Sequence, residues 1–231
     1  MDIKGGILYV VGSPIGNLDD ITFRAVYILK NVNLILSEDT RETDKILQRY
    51  NIKTPQISYT DHKHDFLINE IIKNINLGYN YAIISDSGTP LISDPGFKLV
   101  NRLIKEGIKC FSIPGPSSPI AALSISGLPT DKFIFLGFLP KGTKQKEMIQ
   151  KYGELDVSII ILESSHRIKK TIYLLYDALG DRMVCVCKDL TKFYENVKTK
   201  RLSYFVENID LIKEKGEYTI IIAKKDFNLN G

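Results

Sequence analysis

The stretch from Tyr81 to Gly96, YAIISDSGTPLISDPG, leaves this chain few choices of fold class. Tyr81 to Ile84 read as a buried strand, and the chain then breaks into Ser-Asp-Ser-Gly-Thr-Pro and, after Leu91 and Ile92, Ser-Asp-Pro-Gly. A strand stopping in such a loop is the pattern of an open parallel α/β sheet, which binds small molecules at the carboxyl ends of its strands. In this loop Gly88 permits close backbone approach, Ser87 and Thr89 supply hydroxyls, Asp86 supplies an acceptor and Pro90 stiffens the turn. The competing reading is a polar loop before a helix starting near Pro95. The tendency of sites to sit on loops favours a ligand loop.

The same grammar recurs on either side. Gly6 to Gly12 form a strand, Ser13 to Asn17 a turn, and a helix capped by Asp19 or Asp20 follows, with Ile21, Ala25, Ile28 and Leu29 on one face. Gly12-Ser-Pro-Ile-Gly16 does not fit G-x-G-x-x-G, and Pro14 removes an N–H where a pyrophosphate needs one. The strand Asn33 to Ser37 ends in Glu38-Asp39-Thr40-Arg41, an acidic tip that keeps a nicotinamide enzyme as an alternative. A helix over Thr43 to Tyr50, a strand over Pro55 to Tyr59 and helices over Phe66 to Leu77 and Phe97 to Glu106 follow. The strand Lys109 to Ile113 runs into Pro114 to Pro119, where Ser117 or Ser118 caps a small-residue helix over Ile120 to Ser126.

Around Gly127 to Asp131 the pattern changes, which divides the chain into 1–127 and 128–231. The second part carries strands over Lys132 to Leu139, Val157 to Glu163, Met183 to Lys188, Asn196 to Lys200 and Glu217 to Lys224. Helices over Lys144 to Tyr152 and His166 to Leu179 interrupt them, with a shorter one around Tyr204 to Ile209.

Composition excludes several classes. With 231 residues, 44% hydrophobic and 25% charged, the chain has the make-up of a globular protein and not of a fibre or a disordered tract. No apolar run approaches the ~18 residues of a membrane span. Cys110, Cys185 and Cys187 lie in strand-like runs and read as small buried hydrophobes of a reducing, cytoplasmic protein. The net charge of +4 permits a polyanionic partner. Three basic clusters lie in the second half: Lys141, Lys144, Lys146 and Lys151; Arg167, Lys169 and Lys170; Lys188, Lys192, Lys198, Lys200 and Arg201. His62-Lys63-His64 has flanking carboxylates but reads as a polar loop and helix cap, so no metal is expected. Ser164-Ser165-His166 lacks a G-x-S-x-G elbow, and neighbouring side chains rarely face each other, so nucleophilic hydrolysis is disfavoured.

Taken in order, LYVVGSPIGNLDDITFRA, LILSEDTRETDKIL, ISDSGTPLISDPG, IPGPSSPIAALSISGLPTDKFIFLGFLPKG, ILESSHRI, DLTKFYE and KGEYTIII resemble the ribosomal RNA small subunit methyltransferase I family over essentially the whole chain. The resemblance implies two α/β domains of the tetrapyrrole methylase-like (class III) type, with S-adenosylmethionine in the cleft between them, and a homodimer. It also implies 2′-O-methylation of a decoding-region cytidine in 16S rRNA, within the 30S subunit. By position, Pro14 to Gly16, the loop residues Asp86, Gly88, Thr89, Pro90 and Leu91, and Ser117 with Ser118 match the family's cofactor-lining segments. Leu139, Ser164 and the Gly216-Glu217 pair match the opposite wall. Ser165, Asn196 and Lys198-Thr199-Lys200 depart from the family pattern, which bears on RNA docking more than on methyl transfer.

Methyl transfer to a ribose oxygen is an in-line displacement, so positioning dominates and an acceptor for the hydroxyl proton helps. Asp39 and Asp86 are the candidate acceptors, and Arg41 is a candidate clamp for phosphate or ribose. The structural alternative for Asp39 and Arg41 is a surface ion pair, with Thr40 capping the next helix. Two rival functions share parts of this pattern: a tetrapyrrole C-methylase of the same fold, and a non-catalytic RNA-binding module.

Overall fold

The computed structural model describes residues 5–229, and the chain divides into two compact units between Ser117 and Ser118. The first unit contains β1 (Ile7–Val11), α1 (Phe23–Asn31), β2 (Leu34–Ser37), α2 (Thr40–Arg49), β3 (Gln56–Ser58), α3 (His64–Asn76), β4 (Tyr81–Ile84), α4 (Phe97–Lys105) and β5 (Lys109–Ile113). Its five strands are all parallel, in the order β3-β2-β4-β1-β5. Both faces of the inner strands are covered, which is why β1, β2 and β4 are nearly continuous apolar runs, whereas the edge strands β3 and β5 carry polar residues. Tyr9, Val11, Ile35, Ala82 and Ile84 pack with Ala25, Ile28 and Leu29 of α1 and Ile46 and Leu47 of α2. Leu8, Leu36, Tyr81 and Ile83 form the other face with Ile68, Ile71 and Ile75 of α3 and Leu99 and Leu103 of α4.

Several helix starts differ from the expected ones, each because another residue caps. Asp19 and Asp20 lie in a 3-10 turn over Leu18–Asp20, and α1 begins later, where Thr22 accepts a hydrogen bond from the Ala25 N–H at 3.1 Å. The second helix begins at Thr40, not Thr43, because Asp39 is its N-cap and accepts from the Arg41 N–H at 2.9 Å. Its cap is therefore Asp39 and not Thr40. His64 opens α3, with its Nδ1 2.7 Å from the Tyr59 hydroxyl in the interior, so one imidazole nitrogen already has a protein partner. Pro95 precedes α4, which starts only after Gly96 at φ +119°.

The second unit contains α5 (Ser118–Ile125), β6 (Phe133–Phe138), α6 (Thr143–Gly153), β7 (Ser158–Ser164), α7 (Ile168–Leu179), β8 (Met183–Lys188), β9 (Asn196–Arg201), α8 (Leu202–Glu207) and β10 (Glu217–Ile222). Its sheet has the order β6-β7-β10-β8-β9, with only β6 and β7 parallel. Isoleucines 159, 161, 220 and 222, with Val184 and Val186, form one face against Ile149, Ile168, Ile172 and Leu175. The expected boundary near Gly127–Asp131 falls inside this unit, because α5 packs on β10 and β7. Cys110, Cys185 and Cys187 are free thiols, the last two buried.

Candidate functional site

In the first unit, parallel strands bring four chain breaks to one edge of the sheet: Gly12–Gly16 after β1, Glu38–Asp39 after β2, Ser85–Gly96 after β4 and Pro114–Ser117 after β5. The breaks are tied by backbone contacts. Gly12 N–H donates to the Ile113 carbonyl at 3.0 Å, and Ser13 donates to the Gly88 carbonyl from its N–H at 2.8 Å and its hydroxyl at 3.2 Å. A Cβ on Gly12 would lie 2.8 Å from the backbone N and Cα of Gly115, and one on Gly115 would meet Gly12 as closely. Two glycines are needed here because two strand ends touch backbone to backbone. The loop after β4 is equally constrained, with positive φ at Gly88, Leu91 and Ser93 as well as Gly96. Non-glycine residues in that region store strain, and they concentrate at functional sites.

The tips of β2 and β4, adjacent in the sheet, exchange hydrogen bonds. Asp39 N–H donates to Asp86 Oδ1 at 3.0 Å and Asp86 N–H donates to Glu38 Oε2 at 3.3 Å. The Asp39 carboxylate accepts from Arg41 Nε at 3.0 Å and from its terminal nitrogen at 2.5 Å. Those hydrogen bonds hold the Asp39 carboxyl down at about 2. Its neighbours go the other way. Burial first, then the mutual charge of the cluster, pushes Glu38 and Asp86 above the ordinary carboxylate range and Asp94 up to about 6. Ser85 Oγ, beside Asp94, is buried without a well-formed hydrogen bond.

The second unit gathers its residues at one end of its own sheet. Leu139 follows β6, Ser164 ends β7, and Glu217 opens β10 in register opposite Ser164. The Ser164 N–H and hydroxyl both donate to Glu163 Oε1, at 2.8 and 3.3 Å, so the serine faces a carboxylate and not His166, and the hydrolase reading falls. Glu163 is buried; its other oxygen accepts from the Thr171 hydroxyl at 2.6 Å, and the Arg167 guanidinium lies 3.4 Å away. Arg167 also donates to the Leu139 carbonyl at 3.0 Å, which fixes the end of β6 to the start of α7. The Leu139 side chain belongs to the core, so this position offers a ligand only its backbone.

Of the sequence-selected residues, Pro14, Gly16, Asp39, Arg41, Asp86, Gly88, Thr89, Pro90, Leu91 and Ser117 lie at the carboxyl edge of the first sheet, and Leu139, Ser164 and Glu217 at one end of the second. Ser118 begins α5. Ser85, Asp94 and the Gly12–Gly115 contact were not singled out by sequence, and Glu38 was read only as part of an acidic strand tip. The repeat of Ser-Asp before a glycine at Ser85-Asp86 and Ser93-Asp94 was the available signal for Asp94. Chemically, the first edge offers a ligand clustered carboxyls, an exposed guanidinium and close access to backbone. It therefore suits a molecule carrying positive charge and hydroxyl groups.

Comparison with known proteins places these features in context. Residues 7–205 match the family described as tetrapyrrole (corrin/porphyrin) methylases. The chain is 38% identical over 221 residues to the ribosomal RNA small subunit methyltransferase I of Thermotoga maritima, covering 96% of this chain and all of the relative. It is 43% identical over 224 residues to the protein of the same name from Synechocystis, covering 94% of this chain and 79% of the relative. Among solved structures, a cobalt precorrin-4 methyltransferase superposes with a TM-score of 0.69 at 16% identity, over 94% of this chain and 95% of the other. A diphthine synthase superposes with a TM-score of 0.71 at 13% identity, over 94% and 90% respectively. These two likenesses speak to the fold alone.

Proposed function

We propose that this chain, which belongs to the ribosomal RNA small subunit methyltransferase I family of the tetrapyrrole methylases, transfers a methyl group from S-adenosylmethionine to a ribose 2′-hydroxyl of 16S rRNA. The target is a decoding-region cytidine in the 30S subunit, and the enzyme acts as a cytoplasmic homodimer. The observation that carries this reading is the carboxyl cluster at the tips of β2 and β4, set among glycine turns. Glu38, Asp86 and Asp94 are crowded and raised, so a ligand that brings cations or donors relieves them. The cofactor has a sulfonium, an ammonium and ribose hydroxyls, and so fits this donor set. We assign its binding at this edge to Pro14, Gly16, Asp86, Gly88, Thr89, Pro90, Leu91 and Ser117; Ser118, Leu139, Ser164 and Glu217 are candidate contacts within the second unit. No helix of the described residues is long and apolar enough to cross a membrane.

When bound, S-adenosylmethionine supplies a methyl group already activated by positive sulfur, so the chain's task is alignment and removal of one proton. Of the two candidate acceptors, we assign the proton to Asp86. Its carboxyl is raised and so is the stronger base, whereas Asp39 is spent on its helix cap and on Arg41. Asp39 instead positions Asp86, through the hydrogen bond from its N–H. Arg41 is 86% exposed, which leaves part of its guanidinium free for an RNA phosphate.

The test is methyl incorporation by the purified chain, using labelled cofactor with 30S subunits lacking the modification and, in parallel, uroporphyrinogen. Label in an alkali-resistant dinucleotide of 16S rRNA supports the reading, because a 2′-O-methyl group blocks cleavage at that position. Label in uroporphyrinogen alone refutes it in favour of a tetrapyrrole methylase. Absence of cofactor binding by calorimetry refutes both enzymes.

A further inference from the structure

The second unit contains a groove that the proposed chemistry does not use. A cavity of about 1000 Å³ opens between the loop joining β8 to β9, the last turn of α8 and the segment before β10, lined among others by Phe193, Tyr194, Lys198, Tyr204, Lys213 and Lys215. Its volume is at the upper end of small-molecule pockets and exceeds what one nucleotide needs. By the register of the sheet, the loop leaves β8 at the end where Glu217 opens β10, so groove and Glu217 share one edge.

Two large rings stand in solvent on this loop. Phe193 is 92% and Tyr194 77% exposed, and the rings meet edge to face, 4.9 Å between centroids. Exposed aromatics on a mobile tail say little, but this loop is fixed. Asp189 and Thr191 take positive φ, and the Thr191 N–H donates to Glu195 Oε2 at 2.6 Å. The Asp189 N–H donates to the Glu217 carbonyl at 2.9 Å, and the Glu217 N–H returns a bond to Asp189 Oδ1 at 3.2 Å. A Cβ on Gly216 would lie 2.5 Å from both Asp189 carboxylate oxygens, so the carboxylate sits directly against the glycine.

Charge then selects the occupant. The acids of the groove are already engaged, Asp189 by Lys188 and Glu195 by the loop backbone, and Glu217 beside it pairs with Lys192 at 2.7 Å. Lys198 lies 5.2 Å above the Tyr204 ring. Among the described residues neither Lys198 nor Lys213 nor Lys215 pairs with a carboxylate. Uncompensated cations beside rigid exposed rings are what unpaired nucleic acid requires: phosphates take the lysines, and any base offers a face for stacking. A duplex offers no such face.

We infer that this groove holds a single-stranded segment of the RNA substrate, stacking a base on Phe193 or Tyr194 and placing phosphates on Lys213 and Lys215. This rests on the RNA-methylation reading above. The test measures binding of the full chain to a short labelled oligouridylate and to an RNA duplex of equal length, across a salt series. Phe193→Ala with Tyr194→Ala should weaken oligouridylate binding by about tenfold or more and leave the salt slope, duplex binding and the melting temperature unchanged. Phe193→Tyr, which keeps a stacking face, should retain affinity. Lys213→Gln with Lys215→Gln should instead flatten the slope of log K against log salt by about 1.4, at ~0.7 per phosphate contact. Oligouridylate binding like wild type in the aromatic double variant overturns the inference, as does an equal loss for the duplex. If that variant keeps RNA affinity but loses hold of 30S subunits, the surface belongs to a protein partner and the inference also falls. Methylation of 30S subunits by the wild type is scored separately. Methylation with unaltered binding by the variant sinks the groove alone; aromatic-dependent binding without wild-type methylation sinks the methylation reading and leaves the groove.

Discussion

Asp94→Asn should make the protein more stable at neutral pH and change little in acid. In the folded chain, burial and the Glu38 charge raise the Asp94 carboxyl from 3.8 to about 6. At about 1.4 kcal/mol per tenfold change in acidity, that shift corresponds to about 3 kcal/mol against the ionised form. Water reaches a good part of this side chain, so screening reduces the effect to about 1–2 kcal/mol. The sign follows from the raised value. Between pH 4 and 6 the folded chain binds a proton that the unfolded chain has released, so this stability is full below about 4 and lost as pH rises through about 6. Asparagine has no charge to desolvate and escapes the loss. Urea unfolding of both proteins at pH 4.5 and 7.5, with the Asp94 carboxyl titrated by carbon NMR, would measure it. The variant should gain about 1–2 kcal/mol on the wild type at pH 7.5 and only about a third of that at pH 4.5, where the unfolded carboxyl has ionised but the folded one has not. A pH-independent difference, or a carboxyl titrating near 4, would refute the claim that the tips of β2 and β4 crowd their acids.

The same structure makes other outcomes testable. Gly12→Ala should destabilise by about 1–3 kcal/mol in thermal unfolding, since its Cβ meets Gly115 backbone that cannot turn away, and Gly115→Ala should cost as much with the double variant less than additive. Additive losses would mean that the two glycines do not touch. In single-turnover methylation of 30S subunits, Asp86→Asn should slow the chemical step by roughly 10²-fold, whereas Asp39→Ala should mainly lower the melting temperature by removing the cap of α2. The reverse ranking would return the proton to Asp39. Glu163→Ala leaves Arg167 without its buried partner and should cost about 3–5 kcal/mol in urea unfolding, while His166→Ala, at an exposed position, should cost almost nothing.

The inner strands of the first unit were legible because a sheet covered on both faces writes them as nearly uninterrupted apolar runs, each ending in a polar or glycine-proline break where the parallel connection leaves the sheet. Tyr81–Ile84 and Lys109–Ile113 lie where the pattern put them. Helix starts were less legible because Asp19, Asp20 and Thr22 compete for one cap, and only the packed position of Ala25, Ile28 and Leu29 decides among them. The acid cluster was least legible. Glu38 and Asp86 lie far apart in the chain and meet only because β2 and β4 are neighbours, an order that no local pattern encodes. Glu163, Arg167 and Thr171 were different: they recur every four residues from the end of β7 into α7, but the sequence does not say that Arg167 and Thr171 both turn toward Glu163.

The strand order of the first sheet also dictates when this unit can form during synthesis. The first strand made, β1, belongs between β4 and β5, so a nascent chain lacking Lys109–Ile113 leaves one side of β1 unpaired, with Tyr9 deprived of its stack on Phe111. Parallel pairing over such separations gives no early local reward, and the N-terminal third must wait in a non-native state until β5 has emerged. Ribosome-held chains ending at Lys105 should therefore be cut readily by protease between Ile7 and Ile84, and chains extended well past Ser117 should not.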